Sequence, residues 1–238
     1  MEFAGYVVAA VIAYLLGSIP TGYLAGRLRG VDIRQSGSGN IGATNVMRVL
    51  GKPAGIIVLI IDGLKGYAAC AWGADLVLRW FPAHAGEDMA LRITAGLAAI
   101  LGHNFTCWLK FRGGKGIATS AGVLAALVPG ALLIIVAIWA LVFAFTRYVS
   151  LASIAASFAL PFATWITLQN LAYTVVTSAM AALAIYKHRS NIQRLLHGTE
   201  HRFGSTKPPV LRSPDQIVTE GGPVLRKGTA EGGREAGP

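Results

Sequence analysis

Acidic residues are scarce in this chain, and so is charge altogether: 11 Asp and Glu stand against 21 Lys and Arg in 238 residues, only 13% are charged, and 54% are hydrophobic. A mean hydropathy of +0.55 is more than a single soluble core requires and places most of the chain in lipid. No loop holds an Asp cluster, which argues against a metal-dependent transferase acting on phospho-alcohols. Cysteine is equally sparse. Cys70 and Cys107 are isolated inside apolar segments without CxxC or Cys/His spacing, so neither a disulfide framework nor a metal site is supported, and both read as small packed residues. The net charge of +10 would suit nucleic acid, but the basic residues gather in short loops between apolar runs rather than on one polar face, which excludes that partner.

What is present is a series of apolar runs. Stretches of about 20 residues, enough to span, occur at Phe3 to Ala25, Pro53 to Leu78 and Met89 to Leu109. The continuous run from Ile117 to Thr146 is interrupted by Pro129 and Gly130, a turn signal that splits it into a short helix and a longer one. Leu151 to Leu168 and Leu171 to Tyr186 are separated only by Gln169 and Asn170. The reading is an all-α polytopic integral membrane protein with seven transmembrane helices. The first run lacks a preceding basic residue and a small-residue cleavage site, so it is a spanning helix rather than a cleaved signal.

Charge sets the expected topology. Arg27, Arg29, Arg34, Arg48 and Lys52 fall in the first loop, Lys110, Arg112 and Lys115 in the third, Arg147 in the fifth, and Lys187, Arg189, Arg194 and Arg202 after the last helix. The alternate loops carry Arg79 and little else that is basic. The positive-inside rule then puts the N-terminus outside and the C-terminus in the cytoplasm, which needs an odd number of spans. Residues 1–202 form the membrane domain. From 203 to 238 the composition turns to Gly, Pro, Thr and mixed charge without periodicity, which reads as a disordered cytoplasmic tail.

Three polar segments share the basic side. The first, "SGSGNIGATNVMR" from Ser36 to Arg48, holds almost nothing that builds a helix or a strand. Its Gly39 and Gly42 allow close backbone approach, Ser38, Asn40, Thr44 and Asn45 supply short hydrogen-bonding side chains, and Arg48 adds a fork suited to phosphate. Ordinary turn material would have the same composition. The second segment places Gly113, Gly114, Lys115 and Gly116 before a helix start, where free N–H groups, the helix dipole and one ammonium favour an anion. It is no nucleotide-binding P-loop, since Leu109 and Gly116 stand where that motif needs Gly and Ser or Thr. A positive anchor at a helix end is the plainer alternative. The third segment, from Tyr186, carries His188, Asn191 and Arg194 at spacings that share one helical face, with His197, Glu200, His201 and Arg202 beyond. An interfacial helix on anionic lipid is the competing reading. Three such segments on one side point to a site that handles more than one phosphate. Asp62 and Lys65, deep in the second run, are candidates by position but read better as an internal ion pair that fixes packing.

"GSGNIGATNVMR", "GHNFTCWLKFRGGKGIAT" and "HRSNIQRLLHGTEHRFG", with "AYLLGSIP", "DGLKG" and "RYVSLASI" between them, resemble the bacterial acyl-phosphate:glycerol-3-phosphate acyltransferases, the PlsY-type membrane enzymes, from Phe3 to Gly204. The resemblance implies acyl transfer from acyl phosphate to the 1-hydroxyl of glycerol 3-phosphate in the bacterial cytoplasmic (inner) membrane, opening phospholipid synthesis. It implies no cofactor, no metal, no nucleic acid and no obligatory protein partner; both substrates and membrane lipid are the only partners. Carried over by motif, Ser38, Lys115, His188 and Asn191 are the catalytic residues. Gly39, Asn40, Gly42, Thr44, Asn45, Arg48, His103, Gly113, Gly114, Gly116 and Ser153 bind substrate.

The mixed anhydride is already activated, so positioning and charge stabilisation suffice. No histidine has an acidic residue placed as a triad requires, which favours a substrate phosphate oxygen as proton acceptor, with His188 and Asn191 orienting groups; His188 or His103 as base is the alternative. The His-x4-Asp signature of soluble-loop acyltransferases is absent after all five histidines, so acyl thioesters are not indicated. A transporter of anionic lipid is disfavoured because the polar segments lie at one face and no half-repeat is visible.

Overall fold

The computed structural model describes residues 3–82 and 87–205, and the described residues are helical throughout apart from their connections. The first apolar run divides at Ile19 and Pro20 into α1 (Phe3–Ser18) and α2 (Thr21–Leu28), because proline offers no N–H to continue the ladder. A second helical pair is continuous across a π-helical turn at Ala69–Gly73, joining α4 (Lys52–Ala68) to α5 (Ala74–Trp80). Then come α6 (Glu87–Asn104), the short α7 (Ile117–Leu127), α8 (Pro129–Thr146), α9 (Val149–Leu168) and α10 (Leu171–Lys187). Among the described residues, four helical segments are long and apolar enough to cross a membrane: Phe3–Leu28, Lys52–Trp80, Pro129–Thr146 and Val149–Leu168.

Two short amphipathic helices complete the chain at the basic end, α3 (Ala43–Leu50) and α11 (Arg189–Leu196). The first corrects the reading of Ser36 to Arg48 as wholly irregular. Its second half is helical, because the Asn40 side chain accepts from the Gly42 N–H at 2.8 Å and sets the turn from which α3 starts. Helix α6 also stops short of the expected Leu109, at Asn104.

In lipid the hydrophobic effect does not hold helices together, so close packing of small residues must. Helices α1 and α6 meet through Ala9, Ala13 and Gly17 on one side and Ala95, Ala99 and Gly102 on the other, all buried, and a Cβ on Gly17 or Gly102 would strike the partner backbone. Gly66 and Gly122 bring α4 and α7 together in the same way. Large apolar residues such as Ile57, Ile60, Leu133 and Phe145 remain exposed and form the lipid-facing surface.

The Asp62–Lys65 pair is formed as expected. Both side chains are buried, at 2% and 5% exposure, the ammonium lies 2.9 Å from Oδ1 of Asp62, and it also donates to the Ile19 carbonyl at 2.9 Å. It thereby pins α4 to the α1–α2 break. The expected tail lies, from residue 206 onward, outside the described residues. The first residue expected in the tail is instead packed: Phe203 donates its N–H to the Arg147 carbonyl at 2.8 Å and sets its ring edge against Phe143.

Candidate active site

Local hydrogen bonding builds the first wall. Asn45, 2% exposed, directs Nδ2 at the carbonyls of Ile33, Ser36 and Asn40 and accepts the Ser38 N–H at 2.8 Å. Its side chain is spent on the loop, so Asn45 shapes the wall that Ser38 and Asn40 present. The second segment is stitched to the end of α1. Tyr14 donates to the Phe105 carbonyl and Thr106 to the Ser18 carbonyl, both at 2.6 Å. The loop then turns back on α6, where the Gly113 and Gly114 N–H groups donate to the carbonyls of Asn104 and His103.

This differs from the expected anion cradle. Those two N–H groups are consumed by α6, and neither Gly113 nor Gly114 lines either of the two cavities at this site. Their role is contact: a Cβ at Gly114 would collide with the His103 ring. Gly116, with φ of +80°, does reach the wall and leads into the first turn of α7, so Lys115 and a helix N-terminus are delivered together.

A cavity of about 560 Å³ collects the remaining residues. Ser38, Asn40, Gly42, Thr44, Asn45, Arg48, His103, Lys115, Gly116, Ser153, His188 and Asn191 all line it, while Gly39 borders an adjoining polar recess of about 110 Å³ with Ser38, Asn40, Lys115, Ser190 and Arg194. Ser153 has its hydroxyl engaged within the helix bundle. Its hydroxyl donates to the Val149 carbonyl and accepts from Trp139 Nε1 at 3.2 Å, so it joins α9 to α8.

At the polar end the Lys115 ammonium donates to Oδ1 of Asn191. Asn191 Nδ2 donates to Glu200 Oε1 at 2.7 Å, the Ser150 hydroxyl donates to the same oxygen at 2.8 Å, and Arg194 Nε donates to Oε2 at 2.7 Å. Burial opposes the Glu200 charge, but the bonds from Asn191, Ser150 and Arg194, with the Arg194 charge, outweigh it and hold the carboxyl below its usual range. Burial pushes Lys115 down to about 8; Glu200 resists this, while Arg194, Arg48 and Lys187 add to it by repulsion. Arg48 points a buried Nε that has no hydrogen-bond partner among the described residues. Glu200 offsets only part of the charge of Arg48, Lys115 and Arg194, and Asp62, the other carboxylate on the wall, is paired with Lys65, so the chamber stays positive.

His188, 3% exposed, holds its Nδ1 2.8 Å from the Ala184 carbonyl. An acceptor there fixes the proton on Nδ1 and leaves Nε2 bare. Burial, then the nearby Lys115 charge, pushes the imidazole down to about 4, against the Ala184 bond and Glu200.

Sequence reading names Arg194 and Glu200 in the third segment without a site role, and Ser150 and Trp139 escape it. A lone acid within the cationic stretch "HGTEHR" was the available signal for Glu200.

Below this chamber the same cavity continues between apolar walls of α7, α8, α9 and α10. A cationic chamber opening into an apolar groove, in a helical bundle with a lipid-facing exterior, defines an integral membrane protein that handles an amphiphile with an anionic head. The chain belongs to the glycerol-3-phosphate acyltransferase family, whose model matches residues 7–198. A glycerol-3-phosphate acyltransferase of Synechococcus sp. is 45% identical over 199 residues, covering 83% of this chain and 94% of that one. Glycerol-3-phosphate acyltransferase 2 of Moorella thermoacetica is 46% identical over 200 residues, covering 84% and 98%. The crystal structure of PlsY (YgiH), an integral membrane glycerol 3-phosphate acyltransferase, in its glycerol 3-phosphate form superposes with a TM-score of 0.75 at 41% identity, covering 84% of this chain and 96% of that one. The lysophosphatidic acid form of the same protein gives 0.73.

Proposed function

We propose that this protein transfers a fatty acyl group from acyl phosphate to the 1-hydroxyl of glycerol 3-phosphate, releasing lysophosphatidic acid and phosphate as the first step of phospholipid synthesis. The observation that carries this is the continuity of the Lys115, Arg48 and Arg194 chamber with the apolar groove: phosphate groups and an acyl chain meet in one cavity. Family membership and the glycerol 3-phosphate and lysophosphatidic acid forms of the related structure support it.

In this reading the glycerol hydroxyl oxygen bonds to the acyl carbonyl carbon, the carbon–oxygen bond to phosphate breaks, and phosphate leaves with the electron pair. Lys115 and the first turn of α7 stabilise charge on the leaving phosphate and the carbonyl oxygen. The hydroxyl proton goes to a phosphate oxygen. His188 is the poorer acceptor, since its imidazole lies near 4 while a phosphate monoester dianion takes up a proton near 6. The bare Nε2 of His188 orients the hydroxyl. Ser38, Asn40 and Thr44 hold phosphate from the first loop.

The seven crossings are α1–α2, α4–α5, α6, α7, α8, α9 and α10, with the N-terminus outside and the chamber facing the cytoplasm at the inner membrane, as the loop charges require. Residues 1–202 carry the activity.

The test is phosphate release by the purified, detergent-solubilised protein with palmitoyl phosphate, with and without glycerol 3-phosphate, in EDTA, beside Lys115→Ala. Acceptor-dependent release that persists in EDTA and is lost in the variant supports the reading. No release, while an active relative turns over in parallel, overturns it.

A further inference from the structure

The apolar part of the cavity has walls and a floor of different composition. Facing stripes on α9 and α10 begin at the chamber with Ser150 and His188 and descend through small residues: Ser153, Ala156 and Ser157 on α9, Ala184 and Ala181 on α10. Each stripe then ends on a large side chain, Leu160 on α9 and Met180 on α10, 4% and 3% exposed. One turn further, Thr164 and Thr177 are buried and do not line this cavity. Small residues open the groove and two large ones close it.

Resting on the acyltransferase reading, we propose that Leu160 and Met180 form the floor of the acyl groove and set how much of the donor's chain is held in protein. The span is eight residues from His188 to Met180 and ten from Ser150 to Leu160, or about 12 to 15 Å at 1.5 Å per helical residue. An extended chain advances roughly 1.3 Å per carbon, given bonds of about 1.5 Å, so the groove takes about nine to twelve carbons. Selectivity therefore rises with each methylene until the floor is met and then breaks, because further carbons find no apolar wall.

The experiment measures kcat/KM for acyl phosphates from octanoyl to stearoyl, presented in mixed micelles at constant mole fraction, for the wild-type protein and for Met180→Ala, Leu160→Ala and Ala156→Leu. Each variant's rate with decanoyl phosphate is its own reference. The wild-type profile is expected to climb and then break near twelve carbons. The two truncations move the break to longer donors and raise the palmitoyl-to-decanoyl ratio above the wild-type value, because carbons past the old floor then pack against protein instead of being turned back by it. Ala156→Leu moves the break to shorter donors. A profile without a break, or a break that stays at the wild-type length in both truncations, overturns the floor assignment even if Ala156→Leu fails to fold. Absence of turnover with every donor in the wild type would instead sink the acyltransferase reading on which the inference rests.

Discussion

The Lys115 ammonium reaches across from the second loop to Oδ1 of Asn191 on α11, so the cation proposed to meet phosphate is oriented by a neutral amide. That amide is itself oriented, because its Nδ2 is held by Glu200. Asn191→Leu removes the link without adding charge. It should lower kcat/KM on the order of a hundredfold, the scale of a misplaced catalytic group, while the melting temperature in detergent changes little. Asn191→Asp should not rescue it, because the new carboxylate would lie against Glu200. Steady-state kinetics of the two variants beside thermal melts check both expectations.

Titration of Lys115 gives a second prediction. With its pKa pushed down to about 8, the ammonium is carried by the free protein below that pH and lost above it. Phosphate monoesters have already lost their second proton by pH 7, so substrate charge is constant there. The kcat/KM for glycerol 3-phosphate should therefore fall about tenfold per unit above pH 8. Lys115→Arg, whatever its residual rate, should lose this alkaline limb, since guanidinium stays charged. A limb retained in the arginine variant would assign it to another group.

How much of this was legible beforehand follows from which forces are local. Loop charge and glycine spacing are local, and they marked Lys115, Arg48 and the α7 start as parts of one phosphate-handling region. Hydrogen-bond partners are not local. That Gly113 and Gly114 spend their N–H groups on α6 depends on a reversal of chain that no spacing reveals, and the Ser150–Glu200 bond joins residues fifty apart. The α3 helix was missed because its start depends on an Asn40 side-chain bond, while Gly and Asn around it signal only turns. The break at Pro20, by contrast, was readable from proline chemistry and was passed over within a long apolar run.

Crowding at Gly114 is a third test. A Cβ there meets the His103 ring, which is buried with its Nδ1 3.7 Å from Asp62 Oδ1, beyond hydrogen-bond reach, and so is confined by packing. Gly114→Ala must shift the loop and carry Lys115 with it, so a loss of tenfold or more in kcat/KM is expected, of the order seen when reacting groups move by an ångström. Gly73→Ala is the control, since its Cβ would find only the Ala68 carbonyl at an ordinary 3.5 Å. Equal activity in the two variants would remove the steric role of the loop.

The buried Asp62–Lys65 pair predicts an asymmetry in stability. Lys65→Met strands the Asp62 carboxylate in an apolar interior and releases the Ile19 carbonyl, and breaking a buried pair in this way costs about 3–5 kcal/mol. Removing both charges costs far less, because the desolvation that the pair carried disappears with it. Asp62→Leu/Lys65→Met should therefore melt closer to the wild type than Lys65→Met does in the same detergent. Asp62 also lines the cavity beside His103. The double variant should thus recover stability without recovering full turnover, and the contrast between melting temperature and kcat separates the packing contribution of the pair from its support of the chamber. A double variant that melts lower than Lys65→Met would show instead that the carboxylate is stabilised by partners other than the lysine.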